Sequence, residues 1–103
     1  LSVTKEFFTK VFGWTFMDFG PDYVAFENAG IRGGFFKSDM CVSTENGSAL
    51  VVLYSSDLEQ TMDNIENADG LIIKPIFSFP GGRRFHFEDP NGNEYAVWSD
   101  KGV

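Results

Sequence analysis

The sequence predicts an α+β fold assembled from two β-α-β-β-β modules, and three observations lead there. Two segments carry a helical period, one from Val3 to Phe12 and one after Asp57. Each is followed by three runs of strand-forming residues. A polar, turn-rich stretch divides the two series, so the element order repeats even though the residues of the two halves are only weakly alike.

The elements follow in order. Val3, Phe7, Phe8, Val11 and Phe12 form one apolar stripe of a first helix, with Ser2 placed to cap it and Gly13 to stop it. "WTFMDF" and "DYVAFEN" read as aromatic-rich strands joined by Gly20-Pro21-Asp22, and "IRGGFFK" as a third whose paired glycines leave room on one face. The strand that would open this first module lies ahead of Leu1. Residues 38–47, "SDMCVSTENG", have no period and read as a linker. This places a first module at about residues 1–40 and a second at about 48–103 of a single domain spanning 1–103. In the second module "ALVVLYSS" is an apolar strand. Asp57 opens a helix with Leu58, Met62 and Ile65 on one face, Gln60 at capping-box spacing and Gly70 at its end. "LIIKPIFSF", "RRFHFED" and "NEYAVWS" complete it, and Pro75 marks an edge or bulge.

Composition narrows the function classes. A chain of 103 residues with 43% hydrophobic residues can bury a core, and 17% aromatics suit pleated surfaces and pocket walls. A net charge of −7 speaks against nucleic acid and anionic membranes, which need clustered Lys and Arg. One cysteine, Cys41, allows no intrachain disulfide, and no run is apolar enough to span a bilayer, so a reducing cytoplasm is the expected setting. Cys41 has no basic or histidine neighbour in sequence to activate it as a nucleophile. Gly33-Gly34 lacks the strand-to-helix setting of a phosphate loop.

"EFFTKVFGW", "SSDLEQTMDNI" and above all "FEDPNGNEYAVW" resemble the glyoxalase / bleomycin-resistance / extradiol dioxygenase superfamily, the vicinal oxygen chelate proteins. The resemblance implies that each module curls into a half-open sheet, that two modules enclose a cleft, and that enzymes hold a divalent metal there through His, Gln or Glu on the first and last strands. Three of those places are filled otherwise here. Three residues after Asn93 stands Ala96, six before Asp57 stands Val51, and Gly33-Gly34 occupies the end of the first module. The resemblance therefore implies the fold without the metal site: no cofactor is expected, and a divalent ion would need ligands from the strand ahead of Leu1 or from other positions.

Strand alternation then sets the expected cleft lining. Glu94, Ala96 and Trp98 share one face, and Arg84 and His86 join them from the partner strand, while Phe85, Phe87, Tyr95 and Val97 face the helices. Val51 and Leu53 are expected on the cleft floor. Three readings of His86 and Glu94 stay open: a cross-strand polar pair, pocket lining, or acid/base catalysis. Arg84 either offsets local acidity or receives an anion, and Trp98 is either core or ligand platform. The leading functional expectation is a metal-free protein that binds a small aromatic compound, or a cationic one given the acidity, as a homodimer. The alternative is a lyase, isomerase or dioxygenase-type enzyme using the same cleft, with His86 and Glu94 as its candidate catalytic groups.

Overall fold

The structure, a computed structural model, describes residues 1–30, 33–38, 41 and 43–101. Ile31 and Arg32 of the third predicted strand, and Asp39, Met40 and Val42 of the predicted linker, lie outside the described residues. The described chain is α+β, with two helices and two sheets, and divides into a unit of residues 1–40 and a unit of residues 41–103.

In the first unit α1 (Ser2–Phe12) precedes three antiparallel strands, β1 (Thr15–Asp18), β2 (Tyr23–Glu27) and β3 (Gly33–Phe36), in the order β1-β2-β3. Leu1 rather than Ser2 takes the cap position, and no side chain caps the helix. Gly13 does end it, in the left-handed conformation at φ 71°, where a side chain would be strained. Phe8 joins helix to sheet: its ring stacks on Trp14 at 4.9 Å and Phe35 at 5.1 Å, and Trp14 in turn packs on Phe26 at 4.8 Å. The glycines of β3 are there because aromatic side chains of β2 lie over them. A Cβ at Gly33 would run into the Phe26 ring, and one at Gly34 into Tyr23 and the Val24 carbonyl.

The second unit contains β4 (Val51–Tyr54), α2 (Leu58–Asn67), β5 (Leu71–Phe79), β6 (Gly82–Glu88) and β7 (Glu94–Ser99). Its sheet order is β4-β7-β6-β5, with β4 parallel to β7 and the other pairs antiparallel, so the strand that opens the module lies beside the one that closes it. Asp57 caps α2 by accepting from the Gln60 N–H at 3.1 Å; the Gln60 side chain donates to Asn64 instead of closing a capping box. The helix stops at Asn67, and the left-handed residue after it is Asp69 at φ 69°, not Gly70. Pro75 sits on the edge strand β5 within the second of its two register shifts, between Lys74 and Phe77, where a residue without an N–H is accommodated. Leu58 and Ile65 of α2 and Phe85, Phe87 and Val97 of the sheet are buried.

Candidate ligand-binding face

The hairpin that closes the second unit is built around Asp89. Its buried carboxylate accepts from the N–H groups of Asn91 at 2.9 Å and Asn93 at 3.0 Å, while Gly92 takes φ 85° to complete the turn. The turn fixes the register of β6 against β7: Arg84 opposite Trp98, His86 opposite Ala96, Glu88 opposite Glu94. Because register partners share a face, Arg84, His86, Glu94, Ala96 and Trp98 do stand together. Phe85, Phe87, Tyr95 and Val97 form the opposite face. On that opposite side Arg83 reaches Glu59 of α2 with two bonds, at 2.7 and 3.2 Å, which ties strand to helix.

The floor of the face needs a correction. Val51 pairs with Tyr95 and Leu53 with Val97, so both belong to the face opposite Ala96. Val52 and Tyr54 pair with Ala96 and Trp98 and take the places expected of them. Tyr54 meets Trp98 edge-on at 5.1 Å and donates its hydroxyl proton to Asp100 at 2.6 Å. From the other edge β5 contributes Phe77 and Phe79, which flank the Arg84 guanidinium at 5.1 and 5.2 Å from their ring centres. Phe79 also lies 6.5 Å from Trp98, so Tyr54, Trp98, Phe79 and Phe77 form an aromatic band across the sheet.

His86 and Glu94 form a buried pair, 3% exposed each, with Nδ1 to Oε2 at 3.0 Å. The other carboxylate oxygen accepts the Thr44 N–H at 2.7 Å, where a single 3-10 turn (Thr44–Asn46) begins. The His86 bond first, then the Thr44 N–H, hold the Glu94 carboxyl at about 2 against an ordinary 4.5. Glu94 is therefore an anion near neutrality and only accepts, which puts a proton on His86 Nδ1. His86 Nε2, the opposite edge of the ring, is buried and has no partner. Arg84 Nε is likewise buried without a partner.

This strand order, the Asp89-centred turn and the paired faces lead to a family. A family model of the Glyoxalase/Bleomycin resistance protein/Dioxygenase superfamily matches residues 1–97. The chain belongs to this superfamily. Solved structures agree on the fold. A glyoxalase/bleomycin resistance protein/dioxygenase family enzyme from Burkholderia phytofirmans PsJN superposes with a TM-score of 0.76 at 12% identity, over 95% of this chain and 88% of that one. The fosfomycin resistance protein FosX from Listeria monocytogenes gives 0.76 at 15% identity, over 96% and 83%. Lactoylglutathione lyase from Agrobacterium tumefaciens gives 0.70 at 18%, over 96% and 84%. Among curated proteins none matches the chain in sequence.

Measured against the metalloenzymes of the glyoxalase superfamily, the donor set on this face does not fit a resident divalent ion, which normally takes three or more side-chain ligands. Ala96 carries no donor, and His86 and Glu94 are bonded to each other. Among the described residues no three His, Cys, Asp or Glu side chains converge. An open hollow of about 530 Å³ on the first unit, lined by Ser2, Lys5, Glu6, Thr9, Lys10 and Phe16, gathers no such group either. Cys41 is exposed, its thiol directed at the Asn91 carbonyl at 3.1 Å. Among the described residues no helix is long and apolar enough to cross a membrane.

Sequence reasoning missed Tyr54, Phe77, Phe79 and Thr44. The alternation that would reveal Phe77 and Phe79 is broken by the register shifts around Pro75. Thr44 gives no periodic signal, because its backbone rather than its side chain makes the contact.

Proposed function

We propose that this glyoxalase-superfamily protein binds a small, flat aromatic molecule on the β4-β7-β6-β5 face, without a resident divalent metal. The observation that carries the reading is the aromatic band on this face. Tyr54, Trp98, Phe79 and Phe77 offer stacking surface, and Arg84 and His86 supply a few polar groups beside it. Apolar walls with a small number of placed polar atoms are the usual make-up of a small-molecule site. Two similar folds, a fosfomycin resistance protein and a lactoylglutathione lyase, are a resistance protein and an enzyme on this architecture, which supports either kind of role.

A thermal-shift screen of aromatic compounds tests the reading, since a ligand that binds only the folded state raises Tm. Compounds that stabilise the protein should lose their effect in Trp98→Ala, and retention of full binding by that variant refutes the site. A second reading is kept because the carboxylate–imidazole pair leaves Nε2 free, as a general base requires: a lyase, isomerase or dioxygenase-type enzyme acting through His86. Under it His86→Ala abolishes turnover; under the binding reading it only changes affinity. We also propose a homodimer. Met17, Phe19, Val52 and Leu71 are exposed apolar side chains that a partner copy would cover. A solution mass of 11.5 kDa contradicts it.

A further inference from the structure

The net charge of −7 favours a cationic ligand, but the Arg84 guanidinium on this face favours the opposite sign. Arg84 is a guanidinium held between two aromatic rings, and among the described residues no carboxylate pairs with it. Arg83, next to it in sequence, has its carboxylate in Glu59, so the missing counter-ion is particular to Arg84. Glu94, the acidic group nearest in kind, is already occupied by His86 and the Thr44 N–H. Lys74 stands on the same face opposite His86, and Glu88 stands there opposite Glu94.

Two buried nitrogens without partners, Arg84 Nε and His86 Nε2, lie on that face, and both side chains flank the Phe77 ring. Arg83 Nε is buried without a partner too, although Glu59 pairs that guanidinium, so what sets Arg84 apart among the described residues is that no carboxylate reaches its terminal nitrogens. Resting on the reading that this face binds an aromatic molecule, we propose that its ligand is an aromatic carboxylate. The terminal guanidinium nitrogens of Arg84 receive the carboxylate, and the Phe77 and Trp98 rings receive the flat body. A planar fork facing a carboxylate gives two parallel bonds, which an ammonium or a neutral amide in the ligand cannot supply.

Three probes of one shape test it: benzoate, benzamide and benzylamine, titrated into the full chain by calorimetry or ligand-observed NMR. Benzoate is expected to bind about tenfold to a hundredfold more tightly than benzamide, the range for hydrogen bonds to a charged group. Benzylamine is expected to bind most weakly. Arg84→Met, which keeps the aliphatic stem, should erase the preference for benzoate over benzamide, and Arg84→Lys should restore part of it. If benzamide or benzylamine binds as well as benzoate, the carboxylate inference fails while the aromatic site stands. If none of the three shows saturable binding, both the inference and the reading beneath it fail. Because the comparison is made on the unaltered protein, it holds even where a variant does not fold.

Discussion

Replacing Glu94 by glutamine removes a charge from the centre of the second unit while keeping the shape of the side chain. The carboxylate accepts from His86 Nδ1 at 3.0 Å and from the Thr44 N–H at 2.7 Å in a position 3% exposed to solvent. Glutamine can keep only one of these bonds unchanged. If its oxygen stays with Thr44, its NH₂ faces His86 Nδ1, and the imidazole must move its proton to Nε2 to accept. The depression of the Glu94 carboxyl from 4.5 to about 2 corresponds to about 3 kcal/mol of folding stability. That agrees with the ~3–5 kcal/mol lost when one partner of a buried pair is removed. Because the folded-state value lies below the unfolded one, the contribution is fully present above about pH 4.5 and is lost as pH falls through about 2. Urea unfolding at pH 7 should therefore show Glu94→Gln about 2–3 kcal/mol less stable than the parent chain, with the gap closing towards pH 2. In a chain of this size that lowers Tm by roughly 10–20 °C. A variant within about 0.5 kcal/mol of the parent, the scatter of an ordinary surface substitution, would refute the reasoning. So would a gap that persists unchanged in acid.

Tyrosine ionisation offers a second check. Burial first, and then the Asp89 carboxylate, push the Tyr95 hydroxyl far above its ordinary value of 10.0, while the hydrogen bond to Asp100 raises exposed Tyr54. In an ultraviolet alkaline titration Tyr95 should ionise only as the protein unfolds. Its contribution to stability is complete below about pH 10 and is lost as pH rises further; a reversible titration of all three tyrosines near pH 10 in the folded protein contradicts this. Gly33→Ala should cost about 1–3 kcal/mol by pressing a methyl group into the Phe26 ring. The same substitution in Phe26→Ala should cost far less, and equal costs in the two backgrounds would show that the ring is not the reason for the glycine.

Much of the second unit was legible because its signals are local. An Asp and a Gly at fixed places in "DPNGN" form the turn by their own hydrogen bonds and backbone freedom, and the turn sets the β6–β7 register without reference to the rest of the chain. Once that register is fixed, period-two alternation puts Arg84, His86, Glu94, Ala96 and Trp98 on one face. Asp57 and Pro75 were readable for the same reason, each acting through its own backbone neighbours. The β4 register was not local. A parallel pairing has no turn to fix it, and a shift of one residue exchanges Val51 and Leu53 for Val52 and Tyr54. The end of α2 misled because either Asp69 or Gly70 could take the left-handed position; the Gly70 N–H reaches the Ile65 carbonyl from beyond it.

The proposed function replaces metal coordination by aromatic surface and a few charges, and the metal content of the purified protein tests that most directly. Elemental analysis for Zn, Ni, Fe and Mn, before and after incubation with each ion and desalting, should find amounts far below one ion per chain. A stoichiometric ion that survives desalting, and that is lost in His86→Ala or Glu94→Gln, would contradict it.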